Sequence, residues 1–217
     1  MEAFVRALAR RLPGDVVCYV DTDGPVFALT FDDGPHPETT PALLDVLARH
    51  GAKATFFLIG EQIPANVELV ARISAEGHEL ANHLMRDQPS ITLSADQFDD
   101  QLAEVNALLV GYGAVRWFRP GSGWFTPRML NAGAALGLRC ALGTVVACHD
   151  GSTRDARIAH RIVGRIKPGS IAVLHEGAVQ RRGVAETTNE ILAELGRKNL
   201  SSVTLSALHD LERQPIH

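Results

Sequence analysis

The chain has 217 residues, 46% hydrophobic and 21% charged, the balance of a soluble globular protein rather than a disordered one. One domain that buries about 70% of its unfolded surface is the simplest reading. The 21 Lys plus Arg against 25 Asp plus Glu give a formal net charge of −4, which argues against nucleic acid as a main partner, because phosphate binding needs a basic face.

The segment Met1 to Val20 places Arg6, Arg10 and Arg11 among apolar residues and has no uninterrupted apolar core of a secretory leader, so a cytoplasmic location is expected. No stretch approaches the roughly 20 apolar residues that cross a bilayer. Val26 to Phe31 reads as a strand, followed by a Gly/Pro turn and a helix from Glu38 to His50 that Gly51 stops. A second strand is expected at Ala54 to Ile59, then a helix from Pro64 to Glu76 and a short strand at His78 to Ala81. Ser94 with Gln97 three residues on forms a capping-box pattern for a helix to Val110. Arg116 to Arg119 is the fourth strand, and Thr126-Pro127 opens a helix to Leu136. Further strands are expected at Cys140 to Val146, Ser170 to Leu174 and Ser202 to Leu205, with helices at Asp155 to Ile166 and Val184 to Lys198. This alternation implies parallel strands with right-handed crossovers, either a β/α barrel or an open doubly wound sheet.

In both architectures, catalytic groups gather beyond the carboxyl ends of the strands. Five such ends carry ionisable residues: Asp32-Asp33, then Asn82-His83 running on to Asp87, Arg119, His149-Asp150 and His175-Glu176. That grouping points to a site more strongly than any single residue. Adjacent carboxylates raise one another's pKa unless a cation neutralises them, so Asp32-Asp33 at a tight turn calls for a metal or an arginine. His83 and Asp87 are four apart, a spacing that puts both on one face of a helical turn. With one carboxylate from the first strand they make a three-ligand set with open positions.

The runs Thr30-Phe31-Asp32-Asp33-Gly34-Pro35-His36-Pro37 and Gly77-His78-Glu79-Leu80-Ala81-Asn82-His83 resemble the first two motifs of the polysaccharide deacetylases (NodB-homology, carbohydrate esterase family 4). Arg119-Pro120-Gly121 resembles the third, and Leu174-His175 the fifth. The resemblance implies a distorted (β/α) barrel of about seven parallel strands, one domain over residues 1–217 with its core at about 26–205.

By position, it also implies Asp32 as general base, Asp33 and His83 as metal ligands, and Arg119 as the residue holding the base. His175 matches the general acid, Leu174 the apolar wall beside the acetyl methyl, and Asp150 an acid that orients the catalytic histidine. Gly121, Ser122 and Trp124 line the expected substrate groove, and backbone N–H groups near Gly121 to Gly123 are candidates for holding an oxyanion. Where the family has a second metal histidine, this chain has Asp87. A set of Asp33, His83 and Asp87 around one divalent ion, zinc first and cobalt or manganese next, is the resulting expectation.

The implied activity is removal of N-acetyl groups from oligo- or polysaccharides. Two alternatives stay open at this point: a related hydrolase of a small amide, imide or acetyl ester, and a carbohydrate-binding module with a decayed metal site.

Overall fold

The computed structural model describes residues 16–147 and 156–212. Among these, nine short strands form one sheet: β1 (Val16–Val17), β2 (Val26–Asp32), β3 (Thr55–Leu58), β4 (Glu79–Asn82), β5 (Trp117–Phe118), β6 (Arg139–Ala141), β7 (Val145–Val146), β8 (Ile171–His175) and β9 (Ser201–Val203). The order is β1-β6-β5-β4-β3-β2-β8-β7, with β9 paired to the start of β2. Every strand pair is parallel. The helices are α1 (Thr39–Arg49), α2 (Val67–Ala75), α3 (Ala95–Leu109), α4 (Pro127–Ala135), α5 (Ala156–Val163), α6 (Val184–Arg197) and α7 (Leu205–His209). No helix of the described residues is long and apolar enough to cross a membrane.

Local chemistry sets the element ends where the sequence places them. Ser94 and Gln97 exchange side-chain and backbone hydrogen bonds at the start of α3, and the Thr126 hydroxyl accepts from the Met129 N–H at the start of α4. The expected strand at Cys140 to Val146 is instead two strands. β6 pairs with β5 on one side of the curled sheet, while β7 pairs with β8 on the other. Residues 142–144 bridge the two edges, and at Gly143 a Cβ would come within 2.3 Å of the Val173 side chain. The sheet thus curls until one chain segment meets both edges, which makes a distorted, incompletely hydrogen-bonded barrel. β1 carried no sequence prediction; two residues are too few for a periodic pattern to show.

The two-residue alternation of the strands sorts their side chains into two cores. Phe27, Leu29 and Phe31 of β2, Phe56 and Leu58 of β3, and Ala172 and Leu174 of β8 face the helices. Ala28, Phe57, Ala81, Trp117 and Ile171 fill the interior, where Leu205 and Leu208 of α7 join them. The Leu205 N–H binds the Thr55 hydroxyl, and the Ser206 N–H binds Glu79, so α7 closes the end where β3 and β4 begin. The opposite end stays open, and interior-facing positions continue there into polar residues.

Candidate active site

Asp32 ends β2, and Asp33 follows with φ of 74°. His83 follows β4, Arg119 follows β5 and His175 ends β8. Asp32 lies opposite both Phe57 of β3 and His175 of β8 in the sheet register. Parallel pairing thereby brings the expected base and acid side by side across neighbouring strands. Together with Asp33, Asp87, Ser122, Val173 and Arg181 these groups line a cavity of about 640 Å³.

Arg119 is 4% exposed and held on several sides. Its Nη1 donates to Asp32 Oδ1 at 2.5 Å and to the Thr30 hydroxyl at 3.0 Å, and its Nε donates to the Ala141 carbonyl at 2.9 Å. The guanidinium carbon sits 3.9 Å from the centre of the Phe57 ring, a cation–π contact. The Nη2 group is buried with no hydrogen-bond partner among the described residues. A buried guanidinium held this way fixes the Asp32 carboxylate in one orientation.

His83 Nδ1 lies 2.7 Å from the Arg119 carbonyl, which can only accept, so Nδ1 carries the proton. Its Nε2 then faces Asp33 Oδ1 at 3.3 Å and Asp32 Oδ2 at 3.9 Å. Burial opposes a charge on His83, but the Asp32 and Asp33 carboxylates outweigh it and raise its pKa above the usual histidine value. Burial likewise pushes Asp33 up. His83, then His175 and Arg181, more than reverse that and hold Asp33 at about 2.

Two ligands about 2.0–2.1 Å from a tetrahedral ion lie roughly 3.3 Å apart, which matches the separation of Asp33 Oδ1 and His83 Nε2. The carbonyl bond that orients His83 through Nδ1 is the usual support of a metal-bound imidazole. The described residues contain no group of three or more His, Cys, Asp or Glu side chains placed to hold a metal ion. Asp87 is exposed and lines the same cavity, and Asp33 Oδ2 is taken by Arg181 Nη1 at 2.5 Å. Two of the three expected ligands therefore converge, and the third does not join them.

Several sequence expectations change. Leu174 faces the helices in the apolar core, and Val173 is the apolar residue of β8 at the cavity. Strand alternation requires this, because Val173 shares its face with His175. Ser122 lines the cavity, whereas Gly121 is buried against the Gln88 carbonyl and Trp124 is 68% exposed. The Gly121 N–H binds Ser90 Oγ and the Gly123 N–H binds the Pro120 carbonyl, so neither is free to hold an oxyanion. Asp150, with Cys148 and His149, lies outside the described residues.

Two groups had no assigned role in the sequence. Glu176 is completely buried behind the Asp33-Gly34 turn. Its Oε2 accepts from the Thr39 and Thr40 hydroxyls, its Oε1 has no partner among the described residues, and a Cβ on Gly34 would come within 2.1 Å of that oxygen. Burial pushes its pKa up to about 7 against the pull of the two threonines. Arg181 sits six residues past His175, and the strand-end rule extended along that loop would have reached it.

A barrel with a clamped carboxylate, a histidine on the adjacent strand and a second histidine–carboxylate pair at its open end is an arrangement suited to acyl-transfer hydrolysis. The chain belongs to the polysaccharide deacetylase family, whose profile matches residues 19–141, and metal dependence is general in that family. It is 30% identical over 207 residues to a peptidoglycan-N-acetylglucosamine deacetylase of Bacillus cereus, covering 90% of this chain and 93% of that one. A chitooligosaccharide deacetylase of Sinorhizobium fredii is 34% identical over 159 residues, 72% of this chain and 74% of that one. The crystal structure of a peptidoglycan N-acetylglucosamine deacetylase bound to 4-naphthalen-1-yl-N-oxidanyl-benzamide superposes with a TM-score of 0.85 at 28% identity, covering 92% and 95% of the two chains.

Proposed function

We propose that this protein hydrolyses the N-acetyl amide of N-acetylated sugars, in oligomeric or polymeric form, releasing acetate and a free amine. The observation that carries this reading is the pairing of Asp32, clamped by Arg119, with His175 across adjacent strands at the open end of the barrel. The two relatives named above act on the same class of bond.

Asp33 and His83 would hold a divalent ion, with Asp87 as the expected third ligand, and the ion, zinc first and cobalt or manganese next, supplies carbonyl polarisation and a more acidic water. Arg119 occupies Asp32 Oδ1, which leaves Oδ2 to take the proton from the attacking water. His175 Nδ1 or Nε2, protonated at the start, gives its proton to the departing sugar nitrogen. One proton is taken and one is given, so the two residues end each cycle ready to exchange them back through solvent. Val173 provides an apolar surface beside His175 for the acetyl methyl.

The test is acetate release from chitooligosaccharides, peptidoglycan fragments, acetylated xylan and small N-acetyl sugars, each with zinc, cobalt, manganese or EDTA. Release from at least one N-acetylated glycan, abolished by EDTA, is the expected result. No acetate from any glycan with metal present overturns the reading.

A further inference from the structure

Asp33 divides its two oxygens between different partners. Oδ1 faces His83 Nε2 at 3.3 Å, and Oδ2 accepts from Arg181 Nη1 at 2.5 Å. The same Nη1 donates to the Glu176 carbonyl at 2.6 Å, so both of its hydrogens are used and the guanidinium is fixed at its tip. Arg181 closes a 3-10 turn, Val179–Arg181, and its side chain is 21% exposed and lines the cavity. Asp32 is already neutralised by Arg119. The charge that Asp33 offers an incoming ion is therefore matched in advance by Arg181.

We propose that Arg181 is a resident cation of this site and lowers its affinity for a divalent ion, its guanidinium neutralising Asp33 through Oδ2 while the ion would take Oδ1. With Asp33, neutral His83 and Arg181 around it, a bound divalent ion would leave a local formal charge of +2. Without Arg181 it would be +1. A unit positive charge this close to a divalent ion, in a part-buried site, weakens binding by about 10–100-fold. Arg182, the neighbour of Arg181, points elsewhere and pairs with Glu38 at 3.3 Å.

This inference rests on the reading of Asp33 and His83 as a cation site, and the experiment separates the two. Metal-free wild type, Arg181→Gln and Arg182→Gln are titrated with zinc or cobalt against a chromophoric chelator. Thermal unfolding in EDTA establishes that each variant is folded. Arg181→Gln is expected to bind about 10–100-fold more tightly than wild type, and Arg182→Gln within about twofold of it. Arg181→Lys, which keeps the charge, is expected within about threefold of wild type. Arg181→Ala gives the same reading as the glutamine variant should the latter not fold. Equal or weaker binding by the neutral variants overturns the role of Arg181 alone. No binding by wild type or any folded variant overturns the cation site itself.

Discussion

Asp32 and Asp33 are neighbours in the chain, and each meets an arginine at 2.5 Å, but the surroundings of the two pairs differ. Arg119 is buried within the barrel, with a hydroxyl, a carbonyl and an aromatic ring holding it in place. Arg181 reaches in from a loop, part-exposed, and grips one carboxylate oxygen and one carbonyl. A buried pair of fixed geometry holds a group in one orientation, while a pair at the mouth of a cavity is exchangeable. Equal distances therefore make unequal pairs: Asp32 is held in one orientation by a buried partner, and Asp33 is shared between His83 and a part-exposed arginine.

The largest effect is expected on the locked side. Arg119→Ala leaves the Asp32 carboxylate buried without its partner and should cost about 3–5 kcal/mol of stability, measured by urea unfolding. The corresponding loss for Arg181→Ala should be about 1 kcal/mol or less, because Asp33 keeps His83 and the lost partner is closer to solvent. Equal losses would erase the contrast between the pairs.

Glu176 belongs to the exchangeable side through its carbonyl. Its carboxyl titrates near 7 in the fold, against a starting value of 4.5. Between these values the native state keeps a proton that the unfolded chain has released, so stability falls as pH rises from 4.5 to about 7. At about 1.4 kcal/mol per unit the full change approaches about 3 kcal/mol. Glu176→Gln should flatten the dependence of Tm on pH across that window and raise Tm above wild type at pH 8. An unchanged slope would place the titrating group elsewhere.

Asp32→Asn and His175→Ala should each lower turnover by at least about 100-fold while leaving the protein folded, as read by acetate release alongside circular dichroism. A variant that keeps more than half the wild-type rate removes that residue from proton transfer. The smallest effect lies far from either pair. Arg128 and Asp99 form an exposed ion pair at 2.7 Å, and breaking it with Arg128→Ala should change stability by less than about 1 kcal/mol in chemical denaturation.

Much of this arrangement is legible along the chain because it depends on local rules. The helix caps at Ser94 and Thr126 follow from side chains within three residues of the N–H groups they satisfy. Asp32, His83, Arg119 and His175 announce themselves at strand ends. The Leu174 expectation missed by one residue because it was carried over with the motif next to His175, whereas strand alternation puts Val173, two residues before His175, on the same face. The break between β6 and β7 was hidden, because its cause is the approach of Val173 to Gly143 from another strand.

By itself, the sequence determined the alternation of strands and helices, the family, and the ionisable residues gathered at the strand ends, since these rest on periodicity, on motifs and on residue types at strand ends. Only the tertiary structure decided which arginine serves which aspartate, that Val173 rather than Leu174 meets the cavity, and that Asp87 stands apart from Asp33 and His83. The reason is physical. Charge pairing and ligand convergence depend on distances of a few ångströms between residues far apart in the chain, up to 148 positions for Asp33 and Arg181, and those distances exist only once the sheet has curled.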